Sequence, residues 1–162
     1  MANYERILAL AVASGFMVVI VMHKGQLAHW QRWRDKAACP PKARSAFRTV
    51  VAQYRPDVIV CEDPDRRCRK SGASLRLLRT LAQAADDEAV RSIRLPRIYA
   101  YRNRYEEAVA LCDRFPEFEL WRPKRWGSYE RAPKDIIFFE ALAFAAVVMD
   151  APDDDCGRLR TA

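Results

Sequence analysis

The sequence predicts an α/β fold in which a mixed β-sheet is flanked by helices. Three observations lead there. The chain opens with three consecutive strand-like runs. It continues with short apolar strands alternating with amphipathic helices, the pattern that gives a sheet covered by helices. Its 162 residues suit one domain, large enough to bury a core without metal or disulfide staples.

The first two strands come from Ile7 to Met22, sixteen residues without a charge. A membrane span needs about 20 apolar residues, and Ser14-Gly15 divides this run. Its second half, Met-Val-Val-Ile-Val, is β-branched, so two buried strands joined at Ser14-Gly15 are expected rather than an anchor or a secretory signal. After a turn at His23-Lys24-Gly25, Leu27, His29 and Gln31 alternate with Ala28, Trp30 and Arg32 as in a half-exposed third strand.

Lys42 to Tyr54 reads as a helix, with Ala43, Phe47, Val50, Val51 and Tyr54 on one face. Pro41 suits its start and Pro56 cannot continue it. Asp57 to Cys61 is a short β-branched run, expected as a buried parallel strand. A basic loop follows, and Ala73 to about Ala89 forms the second helix. Ser92 to Tyr99 reads as the fifth strand, with Pro96 marking an edge or bulge. Arg104 to Arg114 is a short helix, and Pro133 to Met149 a final one, apolar nearly all round and hence buried. The domain is drawn at residues 1–149, with a polar, flexible tail over 150–162.

Composition narrows the function. Hydrophobic residues make up 51% and charged residues 30%, which excludes a disordered chain. A net charge of +7 favours a polyanionic partner. The five cysteines are odd in number and form no C-x-x-C pair, which argues against a disulfide framework or structural zinc and for a reducing, cytoplasmic setting. His23 and His29 are too isolated to form a metal cluster.

Two acids stand out. Glu62 ends an apolar strand, and ligand sites of open α/β sheets lie at the carboxyl ends of strands. Glu140 is a lone carboxylate in an apolar helix, and a buried carboxylate needs a partner, a metal or a proton. Together they would suit a hard cation such as Mg²⁺. The alternatives are a strand-end acid bonded to loop amides and a helix acid paired with an arginine. Arg66, Arg67, Arg69 and Lys70 follow Glu62 directly. Arg104, Arg122, Lys124 and Arg125 lie further on, among Tyr101, Trp121 and Trp126, a mixture suited to phosphate contacts and base stacking.

Several segments, in order, resemble the RuvC-like branch of the ribonuclease-H-like nucleases: RILALAVASGFMVVIV, QYRPDVIVCED, the basic RRCRK, ALCDRFPE and DIIFFEALAFAAVV. The resemblance covers about residues 5–149. It implies a five-stranded mixed sheet, its first three strands antiparallel, with helices on both faces. It implies cleavage of phosphodiester bonds in branched DNA of the Holliday-junction type by Mg²⁺, or Mn²⁺, held on acidic side chains, in the setting of DNA recombination and with a possible homodimer. Carried over residue by residue, the fourth-strand Glu falls on Glu62 and the last-helix acid on Glu140, which become the expected catalytic and metal-binding residues.

The chain departs from the family at the first strand, whose apolar run should end in Asp. Here Ile7-Leu8-Ala9-Leu10 is followed by Ala11, and a methyl group cannot ligate a metal. Asp135 lies five residues before Glu140, about 140° around a helix, and so on another face. Two of four expected ligand positions are filled. Two readings stand: a Mg²⁺-dependent endonuclease of reduced activity, and a DNA-binding or assembly module that has lost its chemistry.

Overall fold

The computed structural model describes residues 4–151. Five strands form one sheet in the order β3-β2-β1-β4-β5. β1 (Arg6–Ala13), β2 (Phe16–His23) and β3 (Gln26–Trp33) make the antiparallel meander. β4 (Val58–Glu62) and β5 (Arg91–Leu95) run parallel to β1 on its other side. The tight β2–β3 connection uses Lys24 and Gly25 at φ 50° and 78°, the paired positive values of a type I′ turn. Residues 7–22 thus fall in β1 and β2, and no helix among the described residues is long and apolar enough to cross a membrane.

Strand alternation divides the core in two. Ile7, Ala9 and Ala11 join Val58 and Val60 on the face covered by α3 (Arg104–Arg114) and α4 (Ile136–Asp150). Leu8, Leu10 and Val12 point to the face covered by α1 (Pro40–Tyr54) and α2 (Gly72–Asp87). α4 packs on β1 and β2, and its all-round apolar sequence is explained by burial: eleven of its residues, Glu140 among them, are buried.

Four expectations are corrected in detail. The fifth strand stops at Leu95, not Tyr99, because its partner β4 ends at Glu62 opposite Leu95 and Pro96 has no N–H to extend the ladder. The last helix starts at Ile136 rather than Pro133. Trp121, expected among the basic residues as a ring for base stacking, instead closes a 3-10 turn (Pro116–Trp121), is buried and stacks on Phe138 at 4.6 Å. Asp150, expected in a flexible tail, is the last residue of α4 and accepts two bonds from Arg114, at 2.8 and 2.6 Å. The rest of that tail, from residue 152, lies outside the described residues.

Candidate functional site

β4 is buried along its whole length, and its last residue, Glu62, emerges at the carboxyl edge of the sheet between β1 and β5. Val58, Val60 and Glu62 share a face by strand alternation, the face on which α4 lies. α4 brings Glu140 to the same place. Both carboxylates are deep, with side chains 3% and 7% exposed. No solvent reaches them freely, so their charge must be compensated within the protein.

The compensation comes from Lys70. Its ammonium Nζ donates to Glu62 Oε2 and, at 2.6 Å, to Glu140 Oε1. The lysine is held from both sides along the chain: eight residues before it is Glu62, and two after it α2 begins, with Gly72 in the left-handed region at φ 55°. Burial opposes the Lys70 charge, but Glu140 and Glu62 outweigh it and hold its pKa above the ordinary value. The lysine is therefore charged. Arg104, at the start of α3, stands 3.6 Å from Glu140 Oε2 and adds a second, more exposed cation.

The remaining acids do not join this group. Ala11 is buried on the α4 face of β1. The β1–β4 register pairs Ala9 with Val60, so two residues further along Ala11 comes level with Glu62 on the same face. An aspartate there would meet Glu62; the methyl group packs instead. Asp63 accepts the Asp65 N–H at 2.9 Å within its own turn. Asp135 is bound by Arg32 of β3 at 2.5 Å. Among the described residues no three His, Cys, Asp or Glu side chains converge as a metal site would require.

The donor set does not fit two Mg²⁺ ions. Mg²⁺ demands near-octahedral oxygen ligands. Here two carboxylates are present, each already accepts from an ammonium, and the first-strand position where the resemblance implies an Asp holds Ala11.

Around this centre opens a cleft of about 760 Å³. The end of β1 and the turn after it, Val12 to Ser14, form one side, and Arg69, Arg97, Tyr99, Tyr101 and Arg102 bring positive charge and aromatic rings to it. A neighbouring depression of about 490 Å³ is lined by Arg66, Arg67 and Arg69 against the segment Pro96 to Tyr99. The Arg69 guanidinium lies 4.6 Å from the Tyr99 ring and that of Arg97 5.2 Å from it. Arg97 is itself fixed by a buried pair with Glu107 of α3, one bond of which is 3.1 Å.

The structure thus gathers Glu140, Arg69, Lys70 and Arg104 at one cleft, with the buried Glu62 bonded to Lys70 and Arg66 and Arg67 in the neighbouring depression. Lys70, expected among phosphate contacts, is committed to the two acids. Arg122, Lys124 and Arg125 do not line the cleft. Arg122 bonds Glu119 at 2.6 Å and Asp113 at 3.0 Å, at the far end of α3, while Lys124 and Arg125 are exposed. Sequence reasoning missed Arg97 and Tyr99, which directly follow β5; the rule that selected Glu62, position beyond the carboxyl end of a strand, applies to them equally.

No family model matches the sequence, and no curated protein matches it. Solved structures do. Thermus thermophilus RuvC superposes with a TM-score of 0.58 at 12% identity, over 88% of this chain and 93% of that one. The same protein in complex with a Holliday junction substrate gives 0.58 at 14% identity, over 90% and 97%. Fowlpox virus resolvase, solved with Holliday junction DNA, gives 0.53 at 12% identity, over 90% and 99%. The fold of this chain is the ribonuclease-H-like fold of the RuvC-like resolvases.

Proposed function

We propose that the protein binds branched or otherwise structured DNA in the cleft around Glu62 and Glu140 and does not cleave it by metal-dependent hydrolysis. The observation that carries this reading is the Lys70 ammonium seated between the two carboxylates, with Ala11 level with Glu62. A hydrolytic site of this fold needs acids free to hold Mg²⁺ or Mn²⁺, which would activate a water and stabilise the leaving oxygen. Here the two acids are engaged by Lys70, and the first strand carries Ala11 where an acid is expected. The surrounding arginines and tyrosines retain what DNA binding needs, charge for phosphates and ring faces for unstacked bases. Two of the similar structures are complexes with Holliday junctions, which favours a four-way junction as the first DNA to test.

The second reading is a slow Mg²⁺-dependent endonuclease on Glu62 and Glu140. One observation favours it: the two acids do come together at one point. Purified protein mixed with labelled four-way junctions, flaps, duplexes and single strands separates the two. The first reading expects salt-sensitive binding, tightest to branched DNA, with all strands intact after incubation in Mg²⁺ or Mn²⁺. Metal-dependent cleavage that disappears in Glu62→Gln would overturn it in favour of the second. Light scattering of the same complexes reports whether the DNA-bound form is a homodimer.

A further inference from the structure

Glu62 and Glu140 lie 78 positions apart in sequence yet share one cation, the Lys70 ammonium. Two carboxylates this deep would repel each other and lose hydration with nothing between them. In the structure both accept hydrogen bonds from the same ammonium. Lys70 supplies one positive charge by direct hydrogen bonds, and Arg104 a second at 3.6 Å. Two negative charges thus meet two positive ones. A divalent ion added to this group would bring two further positive charges and would have to displace an ammonium whose backbone is tied to the end of β4 and the start of α2.

We propose that Lys70 is a built-in counter-cation that occupies the electrostatic place of a divalent ion between Glu62 and Glu140. The cleft is then held in shape without metal, and a cation site lies latent beneath the lysine. The inference rests on the reading of this cleft as one that does not hydrolyse DNA, and it says what stands where a metal would. It requires that removal of the ammonium, and not merely addition of a ligand at Ala11, restores divalent affinity.

Mn²⁺ titration followed by electron paramagnetic resonance, with thermal melting in EDTA and in Mn²⁺, tests this on the full chain. Wild type is expected to show no saturable Mn²⁺ site and the same melting temperature in both buffers. Lys70→Ala is expected to melt lower in EDTA and to bind one Mn²⁺ saturably. Its melting temperature should rise by about 3–6 °C at ten times the dissociation constant. Glu62→Gln added to Lys70→Ala should abolish that binding, and Ala11→Asp added to it should strengthen it. Lys70→Gln, which fills more of the vacated space, is run in parallel.

A saturable Mn²⁺ site on wild type that is lost in Glu62→Gln overturns the proposal. So does a folded Lys70→Ala or Lys70→Gln that gains no Mn²⁺ affinity. Should neither variant fold with or without metal, the wild-type titration alone decides. No DNA is present, so failure here leaves DNA binding standing, and absence of junction binding leaves the metal result standing.

Discussion

At the scale of single residues the protein depends on how buried charge is matched. Lys70 is the residue on which the site turns. Its replacement by Met would leave Glu62 and Glu140 buried without a direct ammonium partner. Removing one member of a buried ionic group costs about 3–5 kcal/mol, because the charge left behind is uncompensated. Urea unfolding in EDTA is expected to show a loss of that order for Lys70→Met. It should be largely recovered when Glu62→Gln and Glu140→Gln are added, since the charges needing compensation are then gone. A uniform loss that the added substitutions do not recover would assign the lysine a packing role instead. Cysteines give a second residue-scale prediction. Cys61 is fully buried on the face opposite the carboxylates, and burial pushes its thiol up to about 12; Cys112 is raised too, chiefly by burial. Both should resist alkylation at pH 8 in the native state and react on unfolding, as mass spectrometry of labelled peptides will show. In the unfolded chain a thiol ionises near its ordinary 9.0. Above that pH the unfolded state loses protons that the folded state keeps, so stability falls as pH rises from about 9 towards 12. Cys61→Ala should flatten part of that fall.

At the scale of elements, α3 offers a clean test. Asn103 caps it by accepting the Glu106 N–H at 2.8 Å, and Asn103→Ala should cost about 1 kcal/mol in urea unfolding. The helix carries Glu107, which fixes Arg97, and Arg104, which faces Glu140, so its fraying would loosen the cleft before the sheet. The elements themselves were legible where periodicity and breakers act locally. β1 to β3 follow from an uncharged run cut at Ser14-Gly15 and from the mixed polar and apolar run after Gly25, as in a half-exposed strand. β4 follows from four β-branched or apolar residues between Asp57 and Glu62. Boundaries set by a partner were not legible. Pro96 marks a break within Ser92 to Tyr99, but that pairing ends at Leu95 follows only from β4 running out opposite it. The site divided in the same way. Glu62 was readable because it ends an apolar strand, and Glu140 because it is a lone carboxylate in an apolar helix. The role of Lys70 was not, because the basic loop reads as one patch. Which of its four basic residues turns inward depends on Glu140, 70 positions away.

At the scale of the whole molecule, the net charge of +7 does not say which cations meet DNA, because several of the basic side chains are internally matched. Lys70 belongs to the buried acids and Arg122 to Glu119 and Asp113, whereas Arg69 and Arg102 are exposed at the cleft. Association with DNA releases about 0.9 counterion per phosphate neutralised, so the slope of log K against log salt counts the arginines that touch backbone. Junction binding measured by fluorescence anisotropy over a range of salt concentrations should therefore sort these residues. Arg69→Ala and Arg102→Ala are each expected to reduce the slope by about 1. Arg122→Ala is expected to leave it unchanged, and Glu62→Gln likewise, since neither presents an accessible phosphate contact at the cleft. Tyr99→Ala should weaken binding without changing the slope, because a stacked base contributes about 1–3 kcal/mol without displacing ions. A slope that falls equally for Arg122→Ala and Arg69→Ala would place the DNA on a diffuse basic surface rather than in the cleft at the carboxyl end of β4.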